Sequence, residues 1–138
     1  MYEYKCHVSR IIDGDSIEAS IDLGFGIMFN SKVRLYGIDT PESRTRDEDE
    51  KVRGLLAKQY LESKINSAKQ VIIQTEKDAK GKFGRVLGRL FADEININQS
   101  MIDNHLAVEY FGQSKEELEA GHMANRQILI DEKKINLG

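Results

Sequence analysis

The chain has no tryptophan, a single cysteine, a single proline and three histidines among its 138 residues. A lone Cys6 excludes an internal disulfide, so the fold has to stand on packing alone. His7, His105 and His122 share no ligand spacing with one another or with Cys6, which argues against a zinc centre. The longest apolar runs are a few residues, far short of the roughly 20 that a membrane-crossing helix needs, so no membrane association is expected. The opening Met-Tyr-Glu-Tyr-Lys-Cys-His has no apolar signal core, and export is not expected to be encoded in it. Repeats, low-complexity tracts and linkers are missing too, which points to one domain over 1–138, a monomer with no obligate protein partner. An overall excess of positive charge is also lacking: the net charge is −3, against indiscriminate nucleic-acid binding. The distribution differs from the total. Residues 76–89 carry Lys77, Lys80, Lys82, Arg85 and Arg89 against Glu76 and Asp78, enough to hold a phosphate locally.

What is present reads first as strands. Ile17, Ala19, Ile21 and Leu23 alternate with Ser16, Glu18, Ser20 and Asp22, a period of two with one buried face. Residues 5–12 and 32–38 are rich enough in Val, Ile, Leu and Tyr for two more strands, and 22–31 reads as a long hairpin connection. From 47 to 66 the period changes, with Val52, Leu55, Leu56, Leu61 and Ile65 near one helical stripe and acids 47–50 at its start. Residues 71–75 and 85–91 return to strand character around a turn at 78–82. A second helix is expected over 97–106. A third is expected over about 115–133, opened by the Ser114…Glu117 capping box. Five strands with a helix after the third and helices after the fifth suggest an α+β fold on a five-stranded OB-type β-barrel with three α-helices.

Three short words carry the chemistry: Ile12-Asp13-Gly14-Asp15-Ser16, Arg34-x-x-x-Ile38-Asp39-Thr40-Pro41-Glu42, and Lys82-Phe83-Gly84-Arg85. Asp15, Asp39 and Glu42 are hard oxygen donors that suit a divalent cation such as calcium. Arg34 and Arg85 are planar, permanently charged forks that suit phosphate. Each word has a plainer reading. Asp-Gly is turn chemistry, although on a strand Asp13 and Asp15 would share a face. Asp39 or Thr40 could cap a helix, and either arginine could be an ordinary barrel or hairpin charge. Arg34 and Asp39 are five apart, opposite faces of a regular strand, unless a bulge at Gly37 shifts the register.

Taken together, in this order and spacing, the three words resemble the staphylococcal nuclease (thermonuclease) family, over essentially the whole chain down to Lys134-Ile135-Asn136-Leu137. The resemblance implies an OB-type barrel with three helices and a calcium-dependent nuclease acting on DNA and RNA. It implies Asp15, Asp39 and the carbonyl of Thr40 as calcium ligands, Glu42 as the group that orients or deprotonates water, and Arg34 with Arg85 as the phosphate clamp. Asp13 would support the site from behind. Lys82 matches a basic position of the hairpin, and Tyr110 resembles a tyrosine that packs on the nucleotide, with plain packing as its alternative. Phe83 stands where the family's prototype has a tyrosine. The mixed charges of 43–50 fall where a loop over the site is expected; Arg44 and Arg46 could meet nucleic acid, while the acids repel it or cap the helix. Two other readings compete: a non-catalytic nucleic-acid or protein-binding barrel of the same fold, and a calcium-binding structural domain. The intact set Asp15, Arg34, Asp39, Glu42 and Arg85 favours the enzyme, because a binding module needs no such set.

Overall fold

Alternation is the force behind the sheet: in β2 (Ser16–Asp22) Ile17, Ala19 and Ile21 are all at most 2% exposed while their neighbours face outward. The computed structural model describes residues 2–76 and 85–136, so the expectations for Lys82 and Phe83 lie outside the described residues. β1 (Glu3–Asp13) pairs antiparallel with β2, and β2 with β3 (Met28–Leu35). After the short β4 (Ile38–Asp39) comes α1 (Glu48–Ser67), then the antiparallel pair β5 (Val71–Glu76) and β6 (Arg85–Ala92). β5 returns to β1, and β6 runs parallel to β3 from Lys32↔Arg85 to Leu35↔Gly88. That parallel seam closes a five-stranded mixed barrel, as expected. Short β7 (Ile95–Asn96) leads into α2 (Ile97–Asp103), β8 (Val108–Glu109) pairs with β4, and α3 (Lys115–Asp131) ends the described chain's regular structure. The core joins barrel residues Ile17, Val33, Leu35, Ile73 and Leu90 to Ala57, Leu61, Ile97 and Met101 from the helices.

Four details correct the sequence reading. β3 begins at Met28 rather than 32, because positive φ at Gly24, Phe25 and Gly26 makes a tight turn and pairing resumes at Asp22↔Met28. Leu23 therefore sits in that turn, 43% exposed, and not on the buried face. The face α1 buries is Arg53, Gly54, Ala57 and Leu61, while Val52 and Leu55 of the expected stripe are exposed. Gly54 is required there, since a Cβ would lie 2.2 Å from the Glu42 carbonyl oxygen. Finally, α2 stops at Asp103, where Asn104 caps it and His105 turns to positive φ, so Leu106 enters the core from a loop.

Candidate active site

The Asp-Gly-Asp word is a tight turn. Asp13 ends β1, Ser16 pairs with it to open β2, and Gly14–Asp15 make the corner. The two carboxylates are therefore not on one strand face, and they part to different partners. Asp13 Oδ1 accepts hydrogen bonds from the Ser43 amide at 3.2 Å and from the Ser43 hydroxyl. It ties down the loop that carries Glu42, behind the site. Asp15 is buried, with Oδ2 accepting from the Thr40 amide at 3.0 Å and meeting Arg34 Nη1 at 2.6 Å.

Arg34 reaches the same place from β3. Alternation sends Val33 and Leu35 into the core and Arg34 to the outer face. Gly37 then takes φ +77°, which ends one strand and starts another, so Asp39 doubles back toward Arg34 despite the odd spacing. Arg34 Nη2 lies 3.5 Å from Asp39 Oδ1. One guanidinium thus sits between two carboxylates contributed by β4 and by the turn before β2. Burial raises the Asp15 pKa; the Arg34 charge and the Thr40 amide oppose that rise, and the Asp39 charge adds to it. Two hard carboxylates converging on one positive charge are chemically suited to a calcium-sized cation, with Thr40 next to Asp39 in sequence and its amide on Asp15. Among the described residues no three His, Cys, Asp or Glu side chains form a complete metal cage, so much of a cation's shell would be left to other oxygens.

Beside this pair lies a cleft of about 630 Å³, lined by Asp39, Thr40 and Glu42 and by Lys115, Glu116, Leu118, Glu119 and His122 of α3. The Glu42 side chain is exposed there, and its backbone amide donates to Glu50 Oε2 at 3.0 Å. Three of the acids of 47–50 hold structure, in keeping with the expected helix cap. Asp47 caps α1 through the Glu50 amide at 3.1 Å, and Asp49 bridges Arg53 of α1 at 2.9 Å and Arg126 of α3 at 2.7 Å. Arg85 opens β6 on the strand adjoining β3; its register partner Lys32 and Arg34 share the outer face, so both arginines project from one side of the seam. Tyr110 is half-buried and its amide donates to the Gly37 carbonyl at 2.9 Å. The next residue, Phe111, is exposed and packs edge-on against Tyr36 with centroids 5.9 Å apart.

One buried neighbour carried no signal in the sequence. His122 of α3 places Nε2 2.8 Å from Asp39 Oδ2, 83 residues away along the chain. Its helix position shows only in three dimensions, so spacing rules could not find it.

No curated protein matches this chain. A family model described as staphylococcal nuclease homologue matches residues 32–137; Arg34, Asp39, Thr40, Glu42 and Arg85 fall within the match, and Asp13 and Asp15 precede it. With well over half of its length matched and the closed mixed barrel around the site, the chain belongs to the staphylococcal nuclease homologue family.

Proposed function

We propose that this chain is a calcium-dependent nuclease that hydrolyses phosphodiester bonds in DNA and RNA with little sequence preference, acting best on single-stranded regions. The observation that carries the reading is the Arg34 guanidinium held between the Asp15 and Asp39 carboxylates at the edge of the cleft that Glu42 lines. Asp15, Asp39 and the Thr40 carbonyl would hold the calcium, which when bound would supply Lewis-acid polarisation of a phosphate oxygen.

The protein's own groups divide the remaining work. Arg34 and Arg85 grip the phosphate from one side of the barrel seam, each more useful if it binds the charge developing on phosphorus more tightly than the ground-state diester. Glu42 orients a water and takes its proton, in a loop that Asp13 and Glu50 hold from two sides. Lys82 adds positive charge and Tyr110 an aromatic face for the nucleotide, so contacts fall on phosphate and ring surface rather than base edges, which gives weak sequence preference.

The test is incubation of a single-stranded DNA oligonucleotide with the wild type and with Glu42→Gln. The expected result is cleavage by the wild type in calcium, and a loss of roughly 10²-fold or more in the variant with binding retained. Wild-type protein that binds the oligonucleotide without cutting it at any calcium concentration would establish instead a non-catalytic barrel of the same fold.

A further inference from the structure

We infer that His122 is a positioning residue that fixes the Asp39 carboxylate for calcium, an assignment that rests on the nuclease reading above. The Asp39 carboxylate is held at both oxygens: Oδ1 lies 3.5 Å from Arg34 Nη2, on the side of Asp15, and Oδ2 lies 2.8 Å from His122 Nε2. An ionised carboxylate only accepts, so Nε2 carries the hydrogen in this contact. Without it, the longer Arg34 contact alone is left on a carboxylate carried by a two-residue strand, and Oδ1 is held less firmly toward Asp15.

A buried histidine satisfied by a carboxylate could be no more than a rivet between α3 and the barrel. The structure supplies that attachment elsewhere. Arg126 binds Asp49 of α1, Asn125 Nδ2 donates to the Ala107 carbonyl at 3.1 Å, and Leu129 sits in the core at 2% exposure. The helix also lies close at Gly121, where a Cβ would come within 3.0 Å of Val108 Cγ1, and Val108 is the register partner of Asp39. Helix α3 is thus fixed against the strand carrying Asp39 by contacts that need no histidine, and the histidine ring lies in the one place where it touches the carboxylate expected to bind metal. Partners that orient a metal-binding side chain in this way typically govern 10- to 100-fold in metal affinity.

The experiment is isothermal titration of calcium into the wild type, His122→Ala, His122→Gln, His122→Asn, Asp39→Asn and the Asp39→Asn/His122→Ala double variant, with thermal melts of each. His122→Ala is expected to bind calcium about 10- to 100-fold more weakly. His122→Gln, whose amide nitrogen reaches about as far as Nε2, is expected to recover most of that loss, and His122→Asn, which is shorter, is not. In the Asp39→Asn background the alanine change is expected to add nothing, because the group it positions is gone. If His122→Ala does not fold, the Gln and Asn variants carry the comparison. Calcium affinity in His122→Ala within twofold of the wild type, equal affinities for the Gln and Asn variants, or a full further loss in the double variant would overturn the assignment, whatever the melts show. A wild type that takes up no calcium would overturn the nuclease reading and this assignment together.

Discussion

Replacing Gly54 with alanine sets two forces of opposite sign against each other. Intrinsic helix propensity favours alanine by about 1 kcal/mol in a helix interior. The new Cβ, however, would lie 2.2 Å from the Glu42 carbonyl oxygen, 2.4 Å from its carbon and 2.6 Å from the Ser43 nitrogen. These are backbone atoms, so no rotamer change relieves them, and α1 and the Glu42 loop must separate by roughly 1 Å. Overpacking of this kind costs about 1–3 kcal/mol, more than the propensity gain. The loop is held on its other side by Asp13, so the displacement falls on Glu42. A misplacement of about 1 Å in a reacting group can cost on the order of 10² in rate. Urea unfolding of Gly54→Ala should therefore show a stability loss of up to about 2 kcal/mol, with turnover on single-stranded DNA falling by about 10²-fold. A variant that gains about 1 kcal/mol and keeps wild-type turnover would refute the reasoning, because propensity alone would then have decided the outcome.

Other substitutions probe separate parts of the account. Arg85→Lys should lower turnover by about 10²-fold with little change in Tm, since a point charge cannot replace a fork at the phosphate; unchanged kcat would remove Arg85 from the site. Partial burial pushes the Asp49 pKa up, but hydrogen bonds from Arg126 and Arg53 outweigh it and hold the carboxyl below its usual value. Its stabilisation is thus present above about pH 4 and lost as pH falls through the lowered value, so Asp49→Asn should cost up to about 1 kcal/mol at neutral pH after solvent screening and close the gap to wild type in acid. A gap that widens in acid would contradict that sign. Burial raises the Cys6 thiol to about 11. Iodoacetamide at pH 8 should alkylate the folded chain about 10²-fold more slowly than the unfolded one, and stability should fall as pH rises from about 9 through 11. Equal alkylation rates would show the thiol to be unperturbed.

The barrel was legible because alternation is a local signal: Ile17, Ala19 and Ile21 announce a buried strand face, and the structure buries all three. The face of α1 was not legible by the same rule. It packs through Gly54, Ala57 and the stem of Arg53, which add almost nothing to a hydrophobic pattern but allow the helix backbone to approach the Glu42 loop. In the site, Asp15, Arg34, Asp39 and Thr40 were readable as words, and the fold brings them into contact. Of the acids of 47–50, the helix cap at Asp47 was legible in the sequence, whereas the Asp49 clamp between α1 and α3 and the Glu50 anchor for Glu42 were not, because their partners Arg126 and Glu42 are set by tertiary packing. The same holds for His122, whose contact with Asp39 depends on where α3 lands.

The central claim is that this cluster cuts nucleic acid when calcium is present, and a calcium titration of the wild-type cleavage rate on single-stranded DNA tests it most directly. The account predicts a rate that rises with calcium to saturation and falls to background on addition of EGTA. A rate that stays at background throughout the titration, or one that EGTA leaves unchanged, would contradict it.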